Sequence, residues 1–179
     1  MHTVLKQAIA SLFLVFFCAF ILGCASPPTI ESIKAPDYSG EPKRLFVLSV
    51  VETDFGKGFS SAFHKKLIEI ASNCGATLEI SQVSPLELNS NVHLERMKNF
   101  NPDSVLAIAR AGGTKDEYGR VMNVQYNVRL HDYPSEKIVW RAIFNNISPA
   151  DGGERFAIML TNKMREDQIF RSSCPVTKS

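Results

Sequence analysis

Two neighbouring segments in the second half of the chain alternate along their length, and this pattern is the strongest constraint on the fold. Residues 122–130 carry an apolar side chain at every second position, and residues 138–144 place Ile, Trp, Ala and Phe at alternate positions. Because successive side chains of a strand point to opposite faces, a period of two is typical of a strand with one buried face. The two segments predict an antiparallel hairpin.

The first half of the chain follows another pattern, in which short apolar runs alternate with helical stripes. The predicted strands span residues 44–51, 77–81 and 105–109. The predicted helices span about residues 54–74, 84–100 and 153–168. Asp54 is expected to cap the first helix. The order β-α-β-α-β-β-β-α predicts a single α/β (α+β) domain with a mixed five-stranded sheet packed with helices.

The charge balance excludes one class of partner. The formal net charge is +2, and acidic and basic residues are interspersed along the chain. A nucleic-acid-binding protein would show a basic stripe or patch. We therefore expect no nucleic-acid partner.

The N-terminal residues predict an export signal. A weakly basic start, an apolar run over residues 8–22 and a small residue before Cys24 are its three parts. Leu22-Gly23-Cys24 resembles the lipobox of bacterial lipoproteins. This resemblance implies cleavage after residues 1–23, diacylglycerol on the Cys24 thiol and an acyl chain such as palmitate on the new amine.

Two other interpretations of this segment remain open. It could be an uncleaved membrane anchor, although residues 8–22 are short against the roughly 20 apolar residues that a span needs. It could also be an ordinary signal peptide followed by a chance cysteine. For a lipoprotein, Ala25 instead of Asp after the cysteine implies the outer membrane more than the inner one, with the domain facing the periplasm.

The residues after Cys24 predict a linker. Residues 24–43 hold four prolines and few large apolar residues. Fully extended, the linker reaches roughly 65 Å, and a flexible chain of this length averages nearer 25 Å. We expect residues 44–179 to form one periplasmic domain with a C-terminal tail, held close to its own membrane.

The cysteines suggest a cross-link. Cys18 leaves with the signal and Cys24 takes lipid, so Cys74 and Cys174 remain. In an oxidising periplasm these two predict a disulfide. The alternative is a buried free thiol at Cys74 and a frayed tail.

Two segments carry a family resemblance. Residues 137–142 resemble the G-K-x-x-W-x-A strand, with Glu136 where glycine is usual, and residues 101–106 resemble the start of the third strand. Together with the order of elements, they resemble small bacterial envelope lipoproteins with a TolB N-terminal-domain/LpoB-like α/β domain. The match covers about residues 44–170. It implies a non-catalytic adaptor or regulator, although the short linker departs from the long one that an LpoB-like activator needs.

No motif predicts a reaction. Residues 56–58, Gly-Lys-Gly, lack the Walker A pattern, and no Gly-x-Ser-x-Gly elbow is present. The histidines His64, His93 and His131 lack metal-ligand spacing. The sequence therefore predicts no metal, no cofactor and no enzymatic activity. A small envelope hydrolase would require polar groups that converge in a pocket.

The polar side of the predicted hairpin is the candidate binding surface. It consists of Asn123, Gln125, Asn127, Arg129 and Arg141. Amide and guanidinium groups can bind a partner protein or a glycan such as peptidoglycan, and a solvated sheet face is the alternative. The leading hypothesis is a membrane-anchored adaptor for an envelope protein, and a glycan- or lipid-binding module is the second.

Overall fold

The computed structural model describes residues 27–84, 86–89, 91–133, 135–171 and 174. The predicted signal peptide and the lipidation site at Cys24 lie outside these residues. None of the helices that the structure describes is long and apolar enough to cross a membrane.

The strands form one mixed sheet. They are β1 (Thr29–Lys34), β2 (Arg44–Ser49), β3 (Thr77–Gln82), β4 (Ser104–Lys115), β5 (Val121–Asp132) and β6 (Ile138–Ile147). Their order across the sheet is β1-β6-β5-β4-β2-β3. β2 pairs in parallel with β3 and β4, and every other neighbouring pair is antiparallel. This confirms the predicted α/β domain and its mixed sheet.

The helices lie on both sides of the sheet. They are α1 (Val51–Asn73), α2 (Asn91–Phe100) and α3 (Gly153–Glu166), and a short 3-10 helix, Pro149–Asp151, precedes α3. α1 and α3 pack against each other over the main core. α2 lies on the opposite face, where Phe100 packs on Phe46 with ring centroids 6.0 Å apart.

The sheet has six strands instead of the predicted five. The additional strand, β1, lies within residues 24–43, which the sequence predicted as linker. Of its inward-facing side chains, Ile30 packs against the core, whereas Ser32 and Lys34 are polar. The apolar alternation that reveals a strand is therefore missing.

Aromatic rings fill the core between the sheet and its two long helices. The Phe156 ring lies 5.0 Å from Phe63, 5.3 Å from Tyr126 and 5.6 Å from Phe144, between ring centroids. Gly153 brings the start of α3 against the backbone of α1, where a Cβ atom would lie 2.0 Å from a main-chain oxygen. This close approach requires glycine.

A disulfide joins Cys74 to Cys174 across 100 residues of chain, with Cα atoms 4.8 Å apart. It confirms the predicted pairing. The bridge ties the end of α1 to the segment after α3, at the end of the sheet where β1 finishes.

Loss of this bridge should destabilise the domain. For a loop of this length, the chain-entropy estimate is about 4–5 kcal/mol. We expect the double variant Cys74→Ala with Cys174→Ala to lose about this much unfolding free energy in urea titrations. Reduced wild-type protein serves as the control and should match the variant. A double variant as stable as the oxidised protein would contradict the prediction.

Candidate functional site

One part of the sheet is left without a helix over it. α1 and α3 cover one face, and α2 covers the β2–β3 part of the other face. The remaining surface lies on β1, β6, β5 and β4 and holds a depression of about 370 Å³. We call this surface the open sheet face. The side chains that define it are Glu31, Ile33, Asn127, Arg129, Arg141 and Ile143.

Two arginines face each other in the middle of the open sheet face. Arg129 on β5 and Arg141 on β6 are directly paired in the register, and both are exposed. Ile33 on β1 and Ala107 on β4 flank the pair in the same row. Neither guanidinium forms an ion pair or hydrogen bond with any residue that the structure describes. Like charges directly opposite each other on neighbouring strands destabilise a sheet.

The neighbouring rows are less charged. Glu31, Ile143 and Asn127 form the next row, and Glu31 is the carboxylate closest to the arginines by register. Beyond them, Gln125 donates a hydrogen bond to the side-chain oxygen of Asn145, at 2.5 Å. Asn145 in turn donates to the Thr29 hydroxyl, at 3.3 Å. A row of hydrogen-bonded polar side chains, two amides and one hydroxyl, therefore crosses β5, β6 and β1.

The structure brings together most of the predicted binding residues. Asn127, Arg129 and Arg141 line one depression, and Gln125 lies in the adjoining amide row. Asn123 lies elsewhere, in a second depression of about 760 Å³ that Pro27 and Pro28 also line. The reason is its position along the strand, since Asn123 lies two residues beyond Gln125 and near the start of β5.

Sequence reasoning missed the β1 side of the site. Glu31 and Ile33 belong to the segment that was predicted as linker. The one available signal was the β-branched residues of this segment, Thr29, Ile30 and Ile33, since such residues favour strands.

A partly buried carboxylate fixes β1 to the rest of the domain. Asp167 accepts hydrogen bonds from the Ser32 hydroxyl and from the Trp140 indole N–H, the latter at 2.7 Å. The Lys163 ammonium lies 3.3 Å from the other carboxylate oxygen. Burial alone raises the pKa of Asp167, but the Ser32 and Trp140 hydrogen bonds and the Lys163 charge outweigh it and lower this pKa.

The stabilisation from Asp167 should depend on pH. Because the pKa is lower in the folded than in the unfolded protein, the stabilisation is complete above the unfolded pKa, about 4, and is lost as pH falls through the folded value. Asp167→Asn should therefore reduce the unfolding free energy more at pH 7 than at pH 3. Urea titrations at both pH values measure this, with the exposed Glu166→Gln as control. An equal loss at both pH values would contradict the prediction.

Another carboxylate, with a buried side chain, lies near the start of α1. The side chain of Asp54 is 2% exposed, bonds to the Arg110 guanidinium at 2.9 Å and accepts the Tyr126 hydroxyl at 2.9 Å. Burial, and then the nearby Asp54 charge, raises the pKa of Tyr126, so this phenol stays protonated. The helix has no side-chain cap, so the expectation that Asp54 caps it was wrong.

Three residues where α2 meets β3 have the distances of a Ser–His–carboxylate arrangement. Ser81 Oγ lies 2.7 Å from His93 Nδ1, and His93 Nε2 lies 2.5 Å from Glu87. However, Ser81 is completely buried, and its oxygen accepts a hydrogen bond from Arg96. A nucleophile must reach its substrate, so these contacts fit the attachment of α2 to β3. Within the described residues, no group of three or more metal-ligating side chains occurs.

The chain enters the domain at one end of the sheet, which we call the tether end. It comprises Pro27 and Pro28, the start of β5 with Met122, and the β4–β5 turn with Tyr118. Tyr118 is 76% exposed and Met122 is 53% exposed. The guanidinium of Arg120 lies 5.3 Å from the centre of the Tyr118 ring.

Comparison with known proteins gives a limited set of similarities. No family model and no curated protein matches this chain. Among solved structures, it is similar to the PelC dodecamer from Paraburkholderia phytofirmans in space group P6, with 18% identity and a TM-score of 0.49 over 82% of this chain and 100% of that one. It is also similar to a leucine-to-methionine variant of that dodecamer, with 19% identity and a TM-score of 0.45 over 73% and 90%. We therefore base the function on the residues of the site.

Proposed function

We propose that this protein is a non-catalytic lipoprotein, anchored to the outer membrane through Cys24, that binds an envelope protein with its open sheet face. The observation that carries the proposal is the arginine pair, exposed and without a partner among the described residues, on a sheet face that no described helix covers. The resemblance of residues 137–142 to envelope lipoproteins supports the adaptor role.

The position of β1 supports a domain that rests on its membrane. Residues 25–28 alone separate Cys24 from the first residue of β1, Thr29. Even a fully extended chain of this length spans only about 17 Å. The domain is then held far closer to the lipid than it would be by a linker that spans residues 24–43. Its tether end faces the membrane.

The side chains at the tether end suit a lipid surface. Tyr118 and Met122 expose apolar area, and Arg120 places a positive charge beside the Tyr118 ring. Tyrosine has an apolar body and a polar tip, and arginine can keep its charge in the headgroup layer. These residues supplement the acyl chains as a second contact with the membrane.

The composition of the open sheet face supports a protein partner. Arginine is enriched among the residues that contribute most to protein–protein binding. Ile33, 69% exposed, and Ile143 add apolar area beside the arginines. The buried position of Ser81 supports the absence of catalysis, since this hydroxyl lacks access to a substrate.

A second candidate function is glycan binding, which the row of Gln125, Asn145 and Thr29 favours because amides and hydroxyls bond to sugar hydroxyls. Co-sedimentation of the full-length lipoprotein with purified peptidoglycan tests this candidate. Binding that is lost in Gln125→Ala with Asn145→Ala would support it over the protein-binding proposal.

Photo-crosslinking in cells tests the protein-binding proposal. We expect benzoylphenylalanine in place of Ile143 to capture a specific envelope protein, because this position lies beside the arginines. The control is the same residue in place of Ile68, which is 45% exposed on α1, away from the open sheet face. Equal capture at both positions, or none at position 143, would contradict the proposal.

Fluorescence quenching tests the membrane contact. We expect Tyr118→Trp in the lipidated protein to be quenched by brominated lipids in vesicles, and Ile68→Trp to be unaffected. The native Trp140 is buried and gives a constant background.

Cys24→Ser should abolish both palmitate labelling and vesicle association. Labelling that survives in Cys24→Ser would contradict the lipoprotein assignment, and equal quenching at both positions would contradict the proposed orientation.

A further inference from the structure

The arginine pair on the open sheet face differs from the other arginines of the domain. Most of those bind an acidic side chain or a main-chain carbonyl within the structure. The arginines with such a partner are Arg44, Arg96, Arg110, Arg120, Arg155 and Arg171. Arg129 and Arg141 have no such partner among the described residues, and they are directly opposite each other on neighbouring strands.

We propose that Arg129 and Arg141 together bind the carboxylates of an acidic segment of the partner protein. This inference rests on the proposed protein-binding function and specifies the chemistry of the partner. Each guanidinium presents five N–H donors in a planar fork, which matches the two oxygens of a carboxylate. Directly opposed residues on neighbouring strands have Cβ atoms about 5 Å apart, so one or two carboxylates can contact both groups.

The surroundings of the pair favour a protein segment over an acidic glycan. Glu31 lies in the next row, diagonal to Arg141, and places a negative charge at the edge of the depression. A polymer with a carboxylate on every sugar would bring one of its charges against Glu31. A peptide can place acidic residues only where the arginines lie and apolar residues elsewhere.

The apolar residues beside the arginines also favour a protein segment over an acidic glycan. Ile33 and Ile143 lie beside the arginines on β1 and β6, where apolar side chains of a peptide can pack. The Asn127 amide, one row away, can bond to peptide N–H or C=O groups. We therefore expect a segment in which two acidic residues are flanked by apolar ones.

The same geometry predicts that the unbound protein tolerates loss of the charges. Removing both guanidinium groups relieves like-charge repulsion across the strand pair. Arg129→Gln with Arg141→Gln should therefore melt at the same temperature as the wild type or higher. The variant tests binding without loss of the fold.

The experiment uses the full-length lipoprotein in cells, with benzoylphenylalanine at position 143. We expect Arg129→Gln with Arg141→Gln to lower the yield of the captured protein at least about tenfold. The matched control, Lys57→Gln with Lys65→Gln, removes the same charge from two exposed lysines on α1 and should leave the yield unchanged. Mass spectrometry of the cross-linked peptide should show at least two Asp or Glu residues next to the attachment point.

The outcomes separate the two proposals. If position 143 captures no specific protein, the proposed function fails. If it captures one whose yield is unchanged by the arginine variant, or falls equally with the lysine control, the carboxylate inference fails while the proposed function stands. A cross-linked peptide without acidic residues also overturns the inference.

A measurement on the purified full-length protein in detergent tests the choice of peptide over glycan. A synthetic peptide with two adjacent glutamates flanked by leucines should raise the melting temperature of the wild type and not that of the arginine variant. Polygalacturonate at the same carboxylate concentration should have a smaller effect. The opposite order, with the same dependence on the arginines, would overturn the choice of a protein segment in favour of an acidic glycan.

Discussion

The antiparallel pairing of β1 with β6 determines both the width of the open sheet face and the distance of the domain from Cys24. Without β1, Arg141 would lie on an edge strand, and Ile33 and Glu31 would be absent from the site. If β1 were held only by its pairing with β6, it would be a short edge strand with few apolar contacts. The hydrogen bond from Ser32 to Asp167, which also binds Trp140, adds a contact between this strand and the segment after α3.

Much of the fold could be predicted from the sequence, because the burial of apolar side chains sets the period of each element. The hairpin of β5 and β6 follows from alternate core residues such as Val128 and Trp140, and the disulfide follows from the two remaining cysteines. β1 could not be predicted in this way. Its inward-facing Ser32 is satisfied by a residue 135 positions away, and such a contact leaves no periodic signal in the local sequence.

Only part of the candidate site could be predicted, because the local sequence shows periodicity but not contacts between distant residues. Arg129 and Arg141 alternate with core residues, so the pattern places them on the exposed face, but only the register shows that they are directly opposite. Asn123 obeys the same alternation, yet it lies near the start of β5 and lines another depression at that end of the sheet. The contact of Ser81 with His93 and Glu87 likewise depends on the placement of α2, which sequence spacing does not specify.

Hydrogen–deuterium exchange of the full-length protein tests most directly whether β1 belongs to the sheet. The amides of Glu31, Ile33 and Ala35 alternate along this edge of the sheet and face β6, and that of Ala35 donates to the Val139 carbonyl. These three amides should exchange within about tenfold of those in β6. Residues 39–41, which follow in a loop, should exchange much faster. Exchange of the Glu31, Ile33 and Ala35 amides as fast as that over residues 39–41 would contradict the placement of β1 in the sheet and the three-strand setting of the arginine pair.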